Sequence, residues 1–258
     1  MFKKTLSGLV LTGVLSACAT SPTGRHQLIF MPDNEVNQMG LQAFDDLKQK
    51  KPISKNPSYN QEVQCIANAL TQSMGGNWEV VVFEDETFNA FALPGSKIGV
   101  HSGLLKLVDN QDQLAAVIGH EIGHVIAKHS NERLSQEVAM KTGMSVVTSV
   151  GGLGPVTSGL LGVGAQYGVL LPFSRDHESE ADVVGLGLMS KAGFDPTQSV
   201  TLWQKMAQAT QGGQQPEFMS THPAPATRIE GLQKHMPTMI QVQQQALASG
   251  KHPHCLQK

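Results

Sequence analysis

Two histidines and a glutamate sit together in His120-Glu121-Ile122-Gly123-His124. On a helix, residues four apart rise by about 6 Å and differ by about 40° around the axis, so both imidazoles can reach one metal ion. Imidazole nitrogen suits zinc, and Glu121, one residue after the first ligand, is placed to take a proton from an attacking water. With 10 histidines among 258 residues, chance supplies such a motif only about 0.02 times per chain. The bland alternative is a surface helix with fortuitous histidines.

A hydrolytic zinc site takes three protein ligands and leaves one position for water. The stretch Ser174-Arg175-Asp176-His177-Glu178-Ser179-Glu180-Ala181-Asp182 opens another helical segment. Glu178 is the expected third ligand. Asp182, four residues on and on the same face, is expected to accept the free ring N–H of a ligating histidine. Glu180 lies two residues from Glu178 and points elsewhere on a helix. His129 and His177 read as solvated surface histidines.

These side chains need two helices held close. Asn110 can cap a helix whose apolar positions include Leu114, Val117, Ile118, Ile122, Val125 and Ile126. Gly119, Gly123 and Gly185 leave room for it to approach the Glu178 helix, which ends near Gly193. Earlier, Val36, Met39, Ala43, Phe44 and Leu47 recur at helical spacing. Asn56-Pro57 reads as the cap and first residue of a second helix that stops near Gly75-Gly76. Residues 78–83, 88–93 and 97–101 are short strand-like runs separated by Glu-Asp-Glu and Pro-Gly-Ser turns, and everything after 101 reads as helix, loop or tail.

Asn89-Ala90-Phe91-Ala92 with Pro94-Gly95, the His-Glu-x-x-His helix, Glu178-x-x-x-Asp182, and Ser220-Thr221-His222-Pro223 followed by Arg228 form a specific combination. Together they resemble the gluzincin metallopeptidases of the CAAX prenyl protease and HtpX type, in particular periplasmic lipoproteases of the LoiP and BepA kind. The resemblance implies an α+β fold, mostly α-helical and zincin-like, with a small antiparallel β-sheet beside the active-site helix. It also implies a zinc metalloendopeptidase with one Zn2+ per chain, held by His120, His124 and Glu178, with Glu121 as base. Multiple spanning helices are missing from the pattern, and only 30 residues follow Arg228. Neither a CAAX substrate nor a large helical-repeat docking module is therefore expected.

Asn89, Ala90 and Phe91 are expected to bind substrate, because a strand edge offers N–H and C=O groups to an extended peptide. Such pairing is largely blind to side chains and suits unfolded or misassembled envelope proteins; an interior strand is the alternative. The oxyanion formed in peptide hydrolysis needs donors beside the metal. His222 and Arg228 are the candidates, since the resemblance brings the His-Pro loop near the cleft. His222 could instead take the open zinc position as an autoinhibitory latch, or be a plain loop histidine.

The N-terminus carries an address. Lys3 and Lys4 precede an apolar run from Leu6 to Ala17, and Leu15-Ser16-Ala17-Cys18 resembles a bacterial lipobox. The run is too short to span a membrane and fits a secretory signal. The expected organisation is a lipoprotein signal peptide over 1–17, a tether over 18–32 and a zinc metallopeptidase domain over 33–258. Cys18 would be lipidated, anchoring the chain to the periplasmic face of the outer membrane. In an oxidising compartment, Cys65 and Cys255 can form a disulfide tying the tail to the second helix; the alternative is one buried thiol and one free one. From Thr142 to Ser174 no charge occurs, and Pro155 among glycines suggests a turn between two buried or lid helices, with a membrane-surface contact as the alternative.

Composition excludes other classes. Charged residues are 16%, the net charge is −2 and aromatics are 5%, which leaves neither the cationic field nor the stacking platform of a nucleic-acid binder. A hydrophobic fraction of 40% is enough for a core. Two further functions compete: a non-catalytic, zinc-stabilised chaperone or scaffold, and hydrolysis of a peptidoglycan amide. A structural zinc needs no general base, so Glu121 weighs against the scaffold, and the peptide-pairing strand weighs against the amidase.

Overall fold

In a computed structural model that describes residues 18–75, 77–150, 173–211, 217–222 and 225–255, helices wrap a small sheet. After the strands β1 (Cys18–Thr20) and β2 (His26–Leu28) come α1 (Asp33–Lys50) and α2 (Pro57–Thr71). Pro57 leads α2 and Asn56 caps it, its Oδ1 accepting from Ser58 N at 3.0 Å. Three strands follow, β3 (Glu79–Phe83), β4 (Ala90–Leu93) and β5 (Lys97–His101), and then α3 (Ser102–Leu107).

The sheet has the order β3-β5-β4 and is mixed, where a purely antiparallel one was expected. A tight turn joins β4 to β5, so Leu93 faces Lys97 and that pair runs antiparallel. The longer connection over residues 84–89 lets β3 reach the other side of β5, where it pairs in parallel, Glu79 with Lys97. The result leaves β4 at an edge of the sheet. Both faces are covered. Ala43, Phe44, Phe83, Phe91 and Leu93 form a small core under α1. The main core joins Val63, Ile66, Ala92 and Ile98 to Leu114, Ile118 and Ile122 on the other face. That double burial explains why 90–93 reads as a continuous apolar run.

The chemistry-bearing pair is α4 (Gln111–Ile126) and α6 (Arg175–Ala192), separated by α5 (His129–Val150). Asn110 caps α4, as its position predicted, and Ser174 caps α6. A Cβ on Gly123 would lie 2.7 Å from Ala181 O, and one on Gly185 2.6 Å from His120 N. The helices touch backbone to backbone there, which only glycine permits. Helices α7 (Thr197–Gln211), α8 (Glu217–Thr221) and α9 (Pro225–Ala248) close the far side.

The C-terminal tail and the 18–32 stretch resolve in different ways. Cys65 and Cys255 are joined, with their Cα atoms 5.4 Å apart, and Gln111 secures the same tail through Pro253 O and Cys255 N. The supposed tether instead folds: β1 and β2 pair antiparallel, Cys18 with Leu28, and the intervening turn packs on α5 and α6. Its Arg25 and Gln27 find buried carboxylate partners, which outweighs the flexibility of a Thr-, Ser-, Pro- and Gly-rich stretch. Residues 1–17, expected to be a signal peptide, and residues 151–172, most of the uncharged stretch around Pro155, lie outside the described residues. No helix among the described residues is long and apolar enough to cross a membrane.

Candidate metal centre

Helix α4 carries both histidines on the face turned toward α6, and α6 presents Glu178 and Asp182 from one turn and the next. His120 Nε2 and His124 Nε2 are 3.0 Å apart, and the Glu178 carboxylate lies 3.4 Å from the first and 3.5 Å from the second. His222, just after α8, adds a fourth corner, its Nδ1 3.2 Å from His120 Nε2 and 3.0 Å from Glu178 Oε1. All four donors lie within 4.8 Å of one another and all four residues are buried. Zinc bonds of about 2.0–2.1 Å in a tetrahedron set the ligand atoms about 3.3 Å apart, so these spacings fit one ion. Lone pairs of several imidazoles turned on one another, with no cation between, would repel. The donor set therefore suits a metal ion.

The electrostatics point the same way. Burial works against the charged form of His120, yet hydrogen bonds to Asp182 and Glu178 hold its pKa up at about 9. Glu178 is pushed well below the usual carboxylate range in spite of its burial, by the nearby His222 and Arg228. Burial lowers the pKa of His124 and raises that of Glu121. An ionised Glu178 and a neutral His124 are the forms in which both offer lone pairs to a metal ion.

Glu121 stands beside the cluster rather than in it. Its Oε1 is 3.3 Å from His222 Nε2, and it accepts a hydrogen bond from the backbone N–H of Ala92. That contact ties the edge strand β4 to the site. Asn89 is buried at the entrance to β4, where its carbonyl accepts from His101 N. Phe88 O accepts from Phe218 N, so the segment bearing His222 lies along the start of the same edge. Phe173 stacks on His124 with centroids 4.0 Å apart, and Phe218 on His222 at 4.3 Å. A cleft of about 170 Å³ between α1, Pro94 and the end of α4 has His124 on its wall. The larger groove, about 640 Å³ between α2, α6 and α9, holds none of these residues.

Asp182 lies four residues beyond Glu178 on α6. Its Oδ1 lies 3.0 Å from His120 Nδ1, while Arg228 Nε donates to Oδ2 at 2.7 Å. Arg228 is buried over the Trp203 ring, 3.6 Å from its centroid, and its Nη1 is 2.8 Å from Glu178 Oε2. It meets the two carboxylates from the side of the core, where Trp203 lies. Its Nε and Nη2 donate to Asp182, and its Nη1 faces Glu178 as an ion pair.

Two histidines read as solvated are in fact buried. His129 is fully buried with its Nδ1 2.9 Å from His124 Nδ1, and His177 stacks on His129 at 4.3 Å. No helical period relates His129 to His124, since Lys128 between them adopts φ 54° and reverses the chain. Burial lowers the pKa of His129 to about 4. Glu180 pairs with His129 and is not among the four donors.

The sequence matches the model of Peptidase family M48 over residues 54–236, a stretch that spans β3 to β5 and every member of the cluster. The chain is 35% identical to the mitochondrial metalloendopeptidase OMA1 of Schizosaccharomyces pombe over 78% of its own length and 60% of that protein. It is 28% identical to the beta-barrel assembly-enhancing protease of Yersinia pestis, over 89% of this chain and 52% of that one. The Escherichia coli K12 protein of the same name is 30% identical over 74% of this chain and 42% of its own. This chain thus spans between two fifths and three fifths of these relatives.

Proposed function

The chain belongs to peptidase family M48, and from that premise we propose that it is a zinc-dependent metalloendopeptidase of the bacterial envelope, acting on unfolded or misassembled proteins. The observation that carries this reading is the meeting of four buried donors with a buried glutamate and a strand edge. His120, His124 and Glu178 are the ligands, and Asp182 orients His120. A bound zinc ion would supply Lewis acidity toward carbonyl and water. Glu121 takes the proton of the attacking water and delivers it to the departing amine, so one residue serves as base and then acid. Asn89, Ala90 and Phe91 pair with an extended peptide; support comes from the edge place of β4 and from the Ala92 N–H turned toward Glu121.

Arg228 belongs to the positioning of Asp182 and Glu178 in this scheme. For His222 the latch reading has the better support, since its Nδ1 stands among the ligand atoms and its Nε2 meets Glu121. In that state it fills the corner that water needs, and opening of the 217–222 segment would free both the metal and the β4 edge. The address rests on the chain's own residues, Lys3, Lys4 and the Leu-Ser-Ala-Cys run, which propose lipidation at Cys18. The relatives divide between mitochondrial and β-barrel assembly names and do not carry it.

Zinc content and casein cleavage, measured on the same preparations, test the reading. Glu178→Ala should lose both together, whereas Glu121→Gln should keep its zinc and lose cleavage. A wild type that binds zinc and cleaves nothing, even with His222→Ala, would leave the scaffold alternative. Cys18→Ala should leave the membrane fraction; retention through a carbonate wash would remove the lipid anchor from the proposal.

A further inference from the structure

His124 turns Nε2 to the donor cluster and Nδ1 the other way, where His129 Nδ1 waits at 2.9 Å. His129 Nε2 lies 3.2 Å from Glu180 Oε2. The N-terminal hairpin in turn holds Glu180: Thr23 Oγ1 donates to Oε1 at 2.6 Å, Thr23 N at 3.2 Å, and Arg25 Nε donates to Oε2 at 3.1 Å. Arg25 also grips Glu132 through both terminal nitrogens, at 2.8 and 2.6 Å, and Glu132 accepts from Gln27 and His177. Gln27 reaches Ala127 O, where α4 ends. His129, Glu132 and Glu180 are all buried, so water does not substitute for these partners.

Proton counting gives the chain a direction. A His124 that spends its Nε2 lone pair on a metal keeps its hydrogen on Nδ1 and needs an acceptor there. His129 Nδ1 is the acceptor in reach, which puts the hydrogen of neutral His129 on Nε2, facing Glu180. Glu180 accepts from His129, Thr23 and Arg25 at once. Each donor meets an acceptor, without conflict, from ligand to hairpin.

We propose that His129 is a positioning residue for the ligand His124, and that the hairpin Cys18–Leu28, through Thr23 and Arg25 on Glu180, completes the metal site from the N-terminal end of the chain. The inference rests on the zinc reading above. It makes the segment next to the proposed lipid anchor a part of the site and not a spacer. Undocking the hairpin releases Glu180, then His129, and leaves His124 free to turn.

Zinc affinity of the full chain, by competition with a chromophoric chelator, tests this together with the visible spectrum of the Co2+-substituted protein. His129→Ala should weaken zinc binding roughly 10–100-fold and alter the cobalt bands. His129→Gln should recover most of that loss, because its amide oxygen can accept from His124 while its NH2 donates to Glu180. Arg25→Met should weaken binding a few-fold in the same direction. Wild-type affinity and spectrum in His129→Ala would overturn the proposal, and so would a His129→Gln as weak as the alanine variant. If His129→Ala gives no cooperative melt, Arg25→Met decides: unchanged affinity there removes the hairpin. Zinc binding without casein cleavage, in the wild type and in His222→Ala alike, removes the peptidase reading and leaves this one standing.

Discussion

His120 leans directly on Asp182, which Arg228 clamps inside the packing of α4, α6 and α9. His124 leans on His129, and only through it on Glu180, which Arg25 clamps from a hairpin near the chain's start. Both flanks thus end in a carboxylate held by an arginine, yet their surroundings differ. The Arg228 side chain is 1% exposed and lies over Trp203, whereas that of Arg25 is 25% exposed. A ligand can be oriented by the core, or by a segment that docks on the core.

The largest effect should come from the core flank. Arg228→Met leaves Asp182 and Glu178 as buried carboxylates without their cation, and about 3–5 kcal/mol of unfolding free energy should go. Urea melts would measure it. Gly123→Ala should come next, at about 1–3 kcal/mol, because its Cβ would press on the Ala181 backbone and part the two ligand helices. Zinc content should fall with it; a variant with native stability and metal would show that α4 and α6 are not locked by contact. Arg25→Met should cost least, about 1 kcal/mol, since Arg25 itself is partly exposed and Glu132 and Glu180 keep Gln27, His177, Thr23 and His129 as partners. Equal losses for Arg25→Met and Arg228→Met would erase the distinction between the flanks. His222→Ala sharpens the comparison from the open side: casein turnover should rise if the residue is a latch and fall if it stabilises the transition state.

Much of the core flank was legible in the residues. Four-residue spacing is a helical property, so His120 with His124, and Glu178 with Asp182, declare a shared face before any fold is known. Asn56 and Asn110 announce helix starts because their side chains satisfy backbone N–H groups locally. Even the close approach of the ligand helices is foreshadowed by Gly123 and Gly185. The hairpin flank was not legible in this way. Thr23 and Glu180 are 157 residues apart, and His129 returns to His124 through a left-handed Lys128 that no periodicity reports.

Local geometry therefore settled which side chains could share a metal: helical rise, capping and alternation act within a few residues and are written directly in residue order. Only the tertiary structure decided what stands behind those side chains. The mixed strand order, the burial of His129 and His177, the turn of Arg228 toward the core and the arrival of His222 at the fourth corner all join segments distant in the chain. Such contacts form where burial makes an unpaired polar group costly, and burial is a property of the packed chain and not of any stretch of it.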